Sequence, residues 1–197
     1  MHPAPSPISS HDAHLPTGEP SPWVVRFTPL LPPGGRVLDL ACGSGRHTRW
    51  CAANRLKVVA VDRDVEALSH LQGLEGVETR VLDLEAKAWP LDGESFDVVL
   101  VSNYLFRPHF EALLASVRPG GVLLYETFMR GNERFGKPSN PDFLLRPGEL
   151  LQRLDEAWTV VAFEQGEVAR PRPAVVQRLC AVHAGGGGEG YRLPALP

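Results

Sequence analysis

Three aspartates at or near the ends of short apolar runs are the residues best placed to do chemistry in this sequence. Asp39 lies in Val37-Leu38-Asp39-Leu40, Asp62 closes Val58-Val59-Ala60-Val61, and Asp83 follows Val81-Leu82. After the first comes a glycine-rich turn, Ala41-Cys42-Gly43-Ser44-Gly45, and then Arg46-His47-Thr48 opening a helical stretch. Glycine at 43 and 45 lets the backbone approach a ligand where a Cβ would collide. The helix start adds free N–H groups and a positive dipole end, which suit a carboxylate or phosphate. A dinucleotide site would carry a third glycine where Thr48 stands. Asp39, just before the turn, would repel a pyrophosphate and attract an ammonium or sulfonium. A cationic nucleoside therefore fits better than a dinucleotide. Asp62 lies 17 residues after Gly45, a spacing that suits acceptance from two ribose hydroxyls. Asp83 can accept from an exocyclic amine. Each aspartate taken singly could instead be a helix N-cap.

The elements that must position these residues alternate. Apolar runs at Arg36–Leu40, Lys57–Val61, Thr79–Leu82, Phe96–Ser102 and Val122–Tyr125 read as strands. VVAV and DVVLV are continuous rather than alternating, as in strands covered on both faces. Arg46–Asn54, Val65–Leu71 and His109–Val117 have helical length and period. Strand–helix alternation predicts a parallel sheet built from crossovers. Ser21-Pro22 reads as an N-cap with proline at the first helical position, opening a helix through about Leu31. The last two runs, Trp158–Phe163 and Val175–Val182, have no helical stretch between them. The Gly- and Pro-bearing Glu164–Pro173 suits a hairpin, so an antiparallel last strand is expected.

Composition bounds the rest. The chain has 197 residues, 43% hydrophobic and 22% charged, a length and make-up that predict one globular domain. A formal charge of −3 gives no general grip on nucleic acid. Three cysteines, Cys42, Cys51 and Cys180, without a C-x-x-C, argue against a disulfide framework or a Cys-rich zinc site. No metal is expected. No apolar run reaches the roughly 18 residues of a membrane span, and MHPAPSPISS lacks the features of a secretory signal. A cytoplasmic location with no membrane partner is the expectation. Of 19 prolines, six fall in residues 1–22. Residues 1–20, with His11 and His14, and residues 185–197 read as flexible tails around a domain at 21–184. The strands are expected to hold no proline.

The stretches VLDLACGSG (37–45), VVAVDRD (58–64), RVLDLE (80–85), FDVVLVSNYLF (96–106) and RPGGVLLYETF (118–128) together resemble the class I S-adenosylmethionine-dependent methyltransferases. Ala41 stands where that family most often has glycine. The resemblance implies a Rossmann-like, doubly wound α/β fold with a seven-stranded, mostly parallel sheet and an antiparallel last strand. It implies S-adenosylmethionine as cofactor, leaving S-adenosylhomocysteine as product. Asp39, Ala41 and Gly43 would lie under its methionine portion, Asp62 would bind the ribose, and Asp83 with the backbone of Leu84 would read adenine. Cys42, Gly45, Arg63, Ser102 and Asn103 complete the implied cofactor contacts. FGKPSNPDFLLRPGELLQRLDEAWTVVAFEQGEV (135–168) is more specifically similar to the tellurite-resistance-type branch, with Gly148-Glu149-Leu150 at a helix start. That points to a small-molecule acceptor: a thiol, metalloid oxyanion, carboxylate or phenol.

The acceptor is expected beyond the fourth and fifth strands, with Asn103 and Tyr104 positioning it. Ser-Asn-Tyr-Leu replaces the Asn-Pro-Pro-aromatic pattern of nucleobase and glutamine N-methyltransferases, which argues against nucleic acid or protein acceptors. Phe106, Arg107, His109 and Phe128 could wall the site, with the two phenylalanines equally suited to core. His109 could serve as a base or sit on a helix surface, and His47 could face the acceptor or the solvent. Met129–Arg146 is long for a connector and carries four basic residues, so it reads as a lid suited to an anionic acceptor. A non-catalytic S-adenosylmethionine-binding protein and a nicotinamide oxidoreductase are the alternative readings. The oligomeric state, monomer or homodimer, is left open.

Overall fold

The computed structural model describes residues 18–184; most of both expected tails, and the His11–His14 pair, lie outside the described residues. Seven strands form one sheet in the order β3-β2-β1-β4-β5-β7-β6. They are β1 (Arg36–Leu40), β2 (Lys57–Asp62), β3 (Val77–Val81), β4 (Phe96–Ser102), β5 (Val117–Phe128), β6 (Trp158–Val168) and β7 (Ala174–His183). β1 to β5 pair in parallel, while β7 runs antiparallel between β5 and β6. The Rossmann-like sheet with an antiparallel last strand is thus the observed one. Its strand order reverses between β1 and β4, so their carboxyl ends open a crevice of the kind where such sheets take ligands.

Five short helices cover it: α1 (Pro22–Phe27), α2 (Arg46–Ala53), α3 (Val65–Ser69), α4 (Phe110–Ala115) and α5 (Glu149–Gln152). On one face Val37, Val58, Ala60, Val98 and Leu100 pack against Trp23 and Phe27 of α1, Cys51 of α2 and Leu68 of α3. On the other, Leu38, Leu40, Val99, Val101 and Tyr125 meet Phe110 and Leu113 of α4, Leu150 of α5, and Leu84 and Leu91. Leu84 and Leu91 come from the β3–β4 connection, which forms no helix. Phe27 and Phe96 are fully buried, and truncating either to alanine would cost about 3–5 kcal/mol.

Two boundaries depart from expectation for identifiable reasons. α1 ends at Phe27 and continues as a 3-10 turn, Thr28–Leu30, because Pro29 has no N–H to donate to Val25. β5 begins at Val117 rather than Val122 and so contains Pro119, contrary to the expectation of proline-free strands. Proline is tolerated there because the register against β4 shifts between Phe96 and Val98, breaking the regular ladder. The hairpin between β6 and β7 is present and tighter than expected, since β6 runs on to Val168. Among the described residues no helix is long and apolar enough to cross a membrane.

Candidate active site

The loop after β1 is held in an unusual backbone shape. Ala41, Gly43 and Gly45 all have positive φ, at 54°, 54° and 78°. Alanine in that region is strained, so the neighbours must impose it. They do: Cys42 N–H donates to the Val61 carbonyl and Gly45 N–H to that of Cys42, each at 3.0 Å. Gly43 N–H donates to Asp62 Oδ2 at 2.8 Å, while Asp62 Oδ1 accepts from Asp64 N–H at 3.0 Å. Asp62 is therefore the tie between the β1 loop and the end of β2. The helix cap there is Asp64, whose side chain accepts from Ala67 N–H. At Gly45 a Cβ would sit 2.4 Å from a Leu71 methyl, so packing and its positive φ each ask for glycine there.

Asp39 is 1% exposed, beneath the loop. Thr48 Oγ1 donates to its Oδ2 at 2.6 Å, which explains threonine where a dinucleotide site would want glycine. Burial nevertheless pushes the Asp39 carboxyl up to about 6. Arg63 and Asp83 are exposed at the same edge, and Asp83 Oδ1 accepts from Glu85 N–H at 3.0 Å. Leu84 is buried, and its carbonyl accepts from the Tyr104 hydroxyl at 3.4 Å. The ends of β2, β3 and β4 are thereby linked.

Across the crevice, Asn103 also has positive φ, 56°, a conformation asparagine tolerates better than most residues. Its N–H donates to the Glu126 carbonyl at 2.9 Å, turning the chain at the end of β4. Burial raises the Tyr104 phenol above its ordinary range, so near neutrality it keeps its proton and positions rather than abstracts. Ser102 Oγ accepts from Arg46 Nη2 at 3.0 Å and donates to Glu126 Oε1 at 3.3 Å. Glu126, 7% exposed, also lies 3.2 Å from Arg178 Nε. Sequence reading missed Arg46, and it named Glu126 only as part of the Glu126–Phe128 stretch expected beside the acceptor. The one local signal was a cation in the first turn of α2, with no acid there to favour the dipole.

His47 departs from expectation, and His109 follows one of the readings offered for it. His47 is buried, and its Nε2 accepts from Ser21 N–H at 3.1 Å, tying α2 to the start of α1. Burial holds it neutral, down at about 3, so it faces neither acceptor nor solvent. His109 Nε2 meets the Ala86 carbonyl at 2.7 Å and its ring packs between Trp89 and Phe106, making it wall rather than base. Phe128 belongs to a small core cluster with Leu144 and Ala174.

The long connection from Met129 to Arg146 is closed at its neck. Met129 and Leu145 form a bridge, Leu145 N–H donates to the Phe128 carbonyl at 3.0 Å, and Arg130 N–H to the Leu145 carbonyl at 2.9 Å. Asn132, buried, accepts from Val175 N–H at 3.1 Å. Arg107 anchors the far side, donating to the Asp142 and Leu144 carbonyls at 2.6 and 2.9 Å. It also grips Glu149 with two N–H groups, at 2.7 and 2.9 Å. Glu149 is 1% exposed and further contacts Arg146 and Arg153. These guanidiniums hold its carboxyl down at about 2 despite its burial. Arg107 is thus an anchor for this segment rather than a bare wall. Among the described residues no group of three or more His, Cys, Asp or Glu could hold a metal ion.

Residues 37–121 match the family described as "Methyltransferase domain". The chain is 26% identical over 167 residues to the tRNA U34 carboxymethyltransferase of Hahella chejuensis, covering 78% of this chain and 49% of that protein. It is 34% identical over 121 residues to the demethylmenaquinone methyltransferase of Clavibacter sepedonicus, 56% of this chain and 49% of that one. The chain spans about half the length of these curated relatives. In fold it is similar to TehB from Haemophilus influenzae, with a TM-score of 0.65 at 20% identity over 81% of this chain and 61% of that one. A second likeness is a methyltransferase structure from Listeria monocytogenes, with a TM-score of 0.63 at 16% identity over 83% and 98%.

Proposed function

We propose that the chain is a class I S-adenosylmethionine-dependent methyltransferase that moves a methyl group to a small-molecule acceptor, a reading supported by the match of residues 37–121 to the methyltransferase-domain family. The observation that carries this is the β1 loop, strained at Ala41, turned at Gly43 and tied to Asp62 beside the strand-order reversal. The residues fit a nucleoside cation. Asp39 beneath the loop is a buried carboxyl that a nearby positive charge would help to ionise. Asp62 keeps lone pairs for ribose hydroxyls, and Asp83 with the Leu84 backbone would take the adenine. Ala41, Cys42, Gly43, Arg63, Ser102 and Asn103 would supply the remaining contacts. The bound cofactor supplies a methyl group already activated on sulfonium.

The protein's own share is then alignment and exclusion of water. Holding two reactants in near-attack geometry can supply about 7–11 kcal/mol. Asn103 and Tyr104 would orient the acceptor, with Tyr104 as a hydrogen-bond donor. A base is needed only for an acceptor whose proton has a high pKa. Thiols, metalloid oxyanions, carboxylates and phenols are the acceptor classes proposed, in the cytoplasm, with residues 21–184 as the working unit. Calorimetry with S-adenosylhomocysteine, followed by a labelled-donor screen of those four classes, tests the reading. Micromolar binding and label transfer to one class are expected. Failure to bind the homocysteine product, or preferential binding of NAD, would reject it.

A further inference from the structure

Resting on that reading, we infer that Arg46 is the acceptor-recognition residue and that it takes the carboxylate or oxyanion of a small anionic acceptor. Arg46 is the first residue of α2, directly after the glycine loop, and its guanidinium reaches Ser102 Oγ at the carboxyl end of β4. It therefore bridges the two strand ends between which the strand order reverses. A cation in the first turn opposes the helix dipole, and local preferences are broken mainly where function requires it.

The surroundings leave that cation its charge. Glu126 is shared: Arg178 Nε lies 3.2 Å away, whereas Arg46 Nη2 stands off at 3.9 Å, too far for a hydrogen bond. Arg178 also lies 3.7 Å from Glu164, which in turn pairs with Arg26 at 3.0 Å. Three guanidiniums thus share two carboxylates in this chain of ion pairs, with Arg46 as its end member and Asp39 a further acid within reach of its charge. Among the described residues one of its five donors is used, on Ser102. Beside it opens a cavity of about 260 Å³, lined by Arg46, Arg49, Trp50 and Ala53 of α2 with Gly18 and Pro20. The basic residues of the 129–146 segment are less available, because Arg134 pairs with Glu167 and Arg146 with Glu149. Ser102 and Glu126 are positioning residues, fixing where the guanidinium points.

The test uses the full chain saturated with S-adenosylhomocysteine and pairs of probes differing only in charge: 3-mercaptopropionate against its amide, and 4-hydroxybenzoate against its amide. Calorimetry should show at least one acid binding about tenfold or more tighter than its amide. In Arg46→Gln that preference should fall below about twofold, with homocysteine-product affinity and melting temperature nearly unchanged. Arg46→Lys should retain part of it, and Glu126→Gln should reduce it about threefold by loosening the guanidinium. Equal affinity for both members of every pair in the unaltered protein would overturn the inference, as would a preference that survives Arg46→Gln. A loss of homocysteine-product affinity in Arg46→Gln would also overturn it, assigning the arginine to the donor's carboxylate instead. If the unaltered protein fails to bind S-adenosylhomocysteine at all, the methyltransferase reading itself is what fails.

Discussion

Two buried carboxylates, one on each side of the crevice, are displaced in opposite directions. Asp39, on the β1 side, has one hydroxyl partner and is pushed up to about 6 by burial. Glu149, beyond β5, is equally buried but gripped by arginines and held at about 2. The difference separates two uses of a buried charge. Glu149 is satisfied by the fold and stabilises it. Asp39 is held by Thr48 alone, with Arg46 in reach of its charge, and burial outweighs both. The family match covers the side of Asp39 and stops at residue 121, before Glu126 and Glu149.

The contrast can be broken most forcefully at Glu149. Glu149→Ala removes the buried carboxylate that gathers Arg107, Arg146 and Arg153 and should cost about 3–5 kcal/mol in urea unfolding. The folded carboxyl ionises near 2 against an ordinary 4.5. Its stabilisation is therefore complete above pH 4.5 and fades as pH falls towards 2. Glu149→Gln should flatten the acid limb of the stability profile, and an unchanged limb would contradict the assignment.

Asp62→Ala removes the acceptor for two backbone N–H groups and the proposed ribose contact. Affinity for S-adenosylhomocysteine should drop on the order of 100-fold. A change within threefold would mean that the nucleoside lies elsewhere.

Asp39 should behave in the opposite sense to Glu149. Its folded value of about 6 exceeds the ordinary 3.8, so the fold is favoured below 3.8 and loses stability as pH rises through 6. Asp39→Asn, which can still accept from Thr48, should stabilise the protein by about 2 kcal/mol at pH 8 while weakening product binding. Greater stability with undiminished binding would remove Asp39 from the donor site.

The smallest effect is at Asn103. With φ at 56°, Asn103→Gly should leave stability within about 0.5 kcal/mol, and Asn103→Ala should lower it by about 1 kcal/mol. Both should slow turnover on an acceptor found in the screen. If neither does, and Tyr104→Phe is also silent, the acceptor lies away from the end of β4.

How much of this was legible in the sequence follows the same division. On the donor side, period and punctuation sufficed: β1 and β4 run over the expected residues because apolar runs ended by turn residues are local signals. Asp39, Asp62 and Asp83 fall at or just beyond the strand ends for the same reason. What stayed hidden depends on contacts far apart in the chain. Gly45 is explained by Leu71, His47 by Ser21, and Glu126 by Arg46 and Arg178, and no window of sequence contains those pairs. Glu149 gave no local hint either, since its partners Arg107, Arg146 and Arg153 meet only after the sheet has formed.

The closed neck at Met129 and Leu145 has a consequence for how such a protein can change. Its two ends are fastened to each other and to β7 before the chain leaves the sheet. What lies between them is therefore a cassette. Its tip can be lengthened, shortened or exchanged without moving the strands that carry the donor loop.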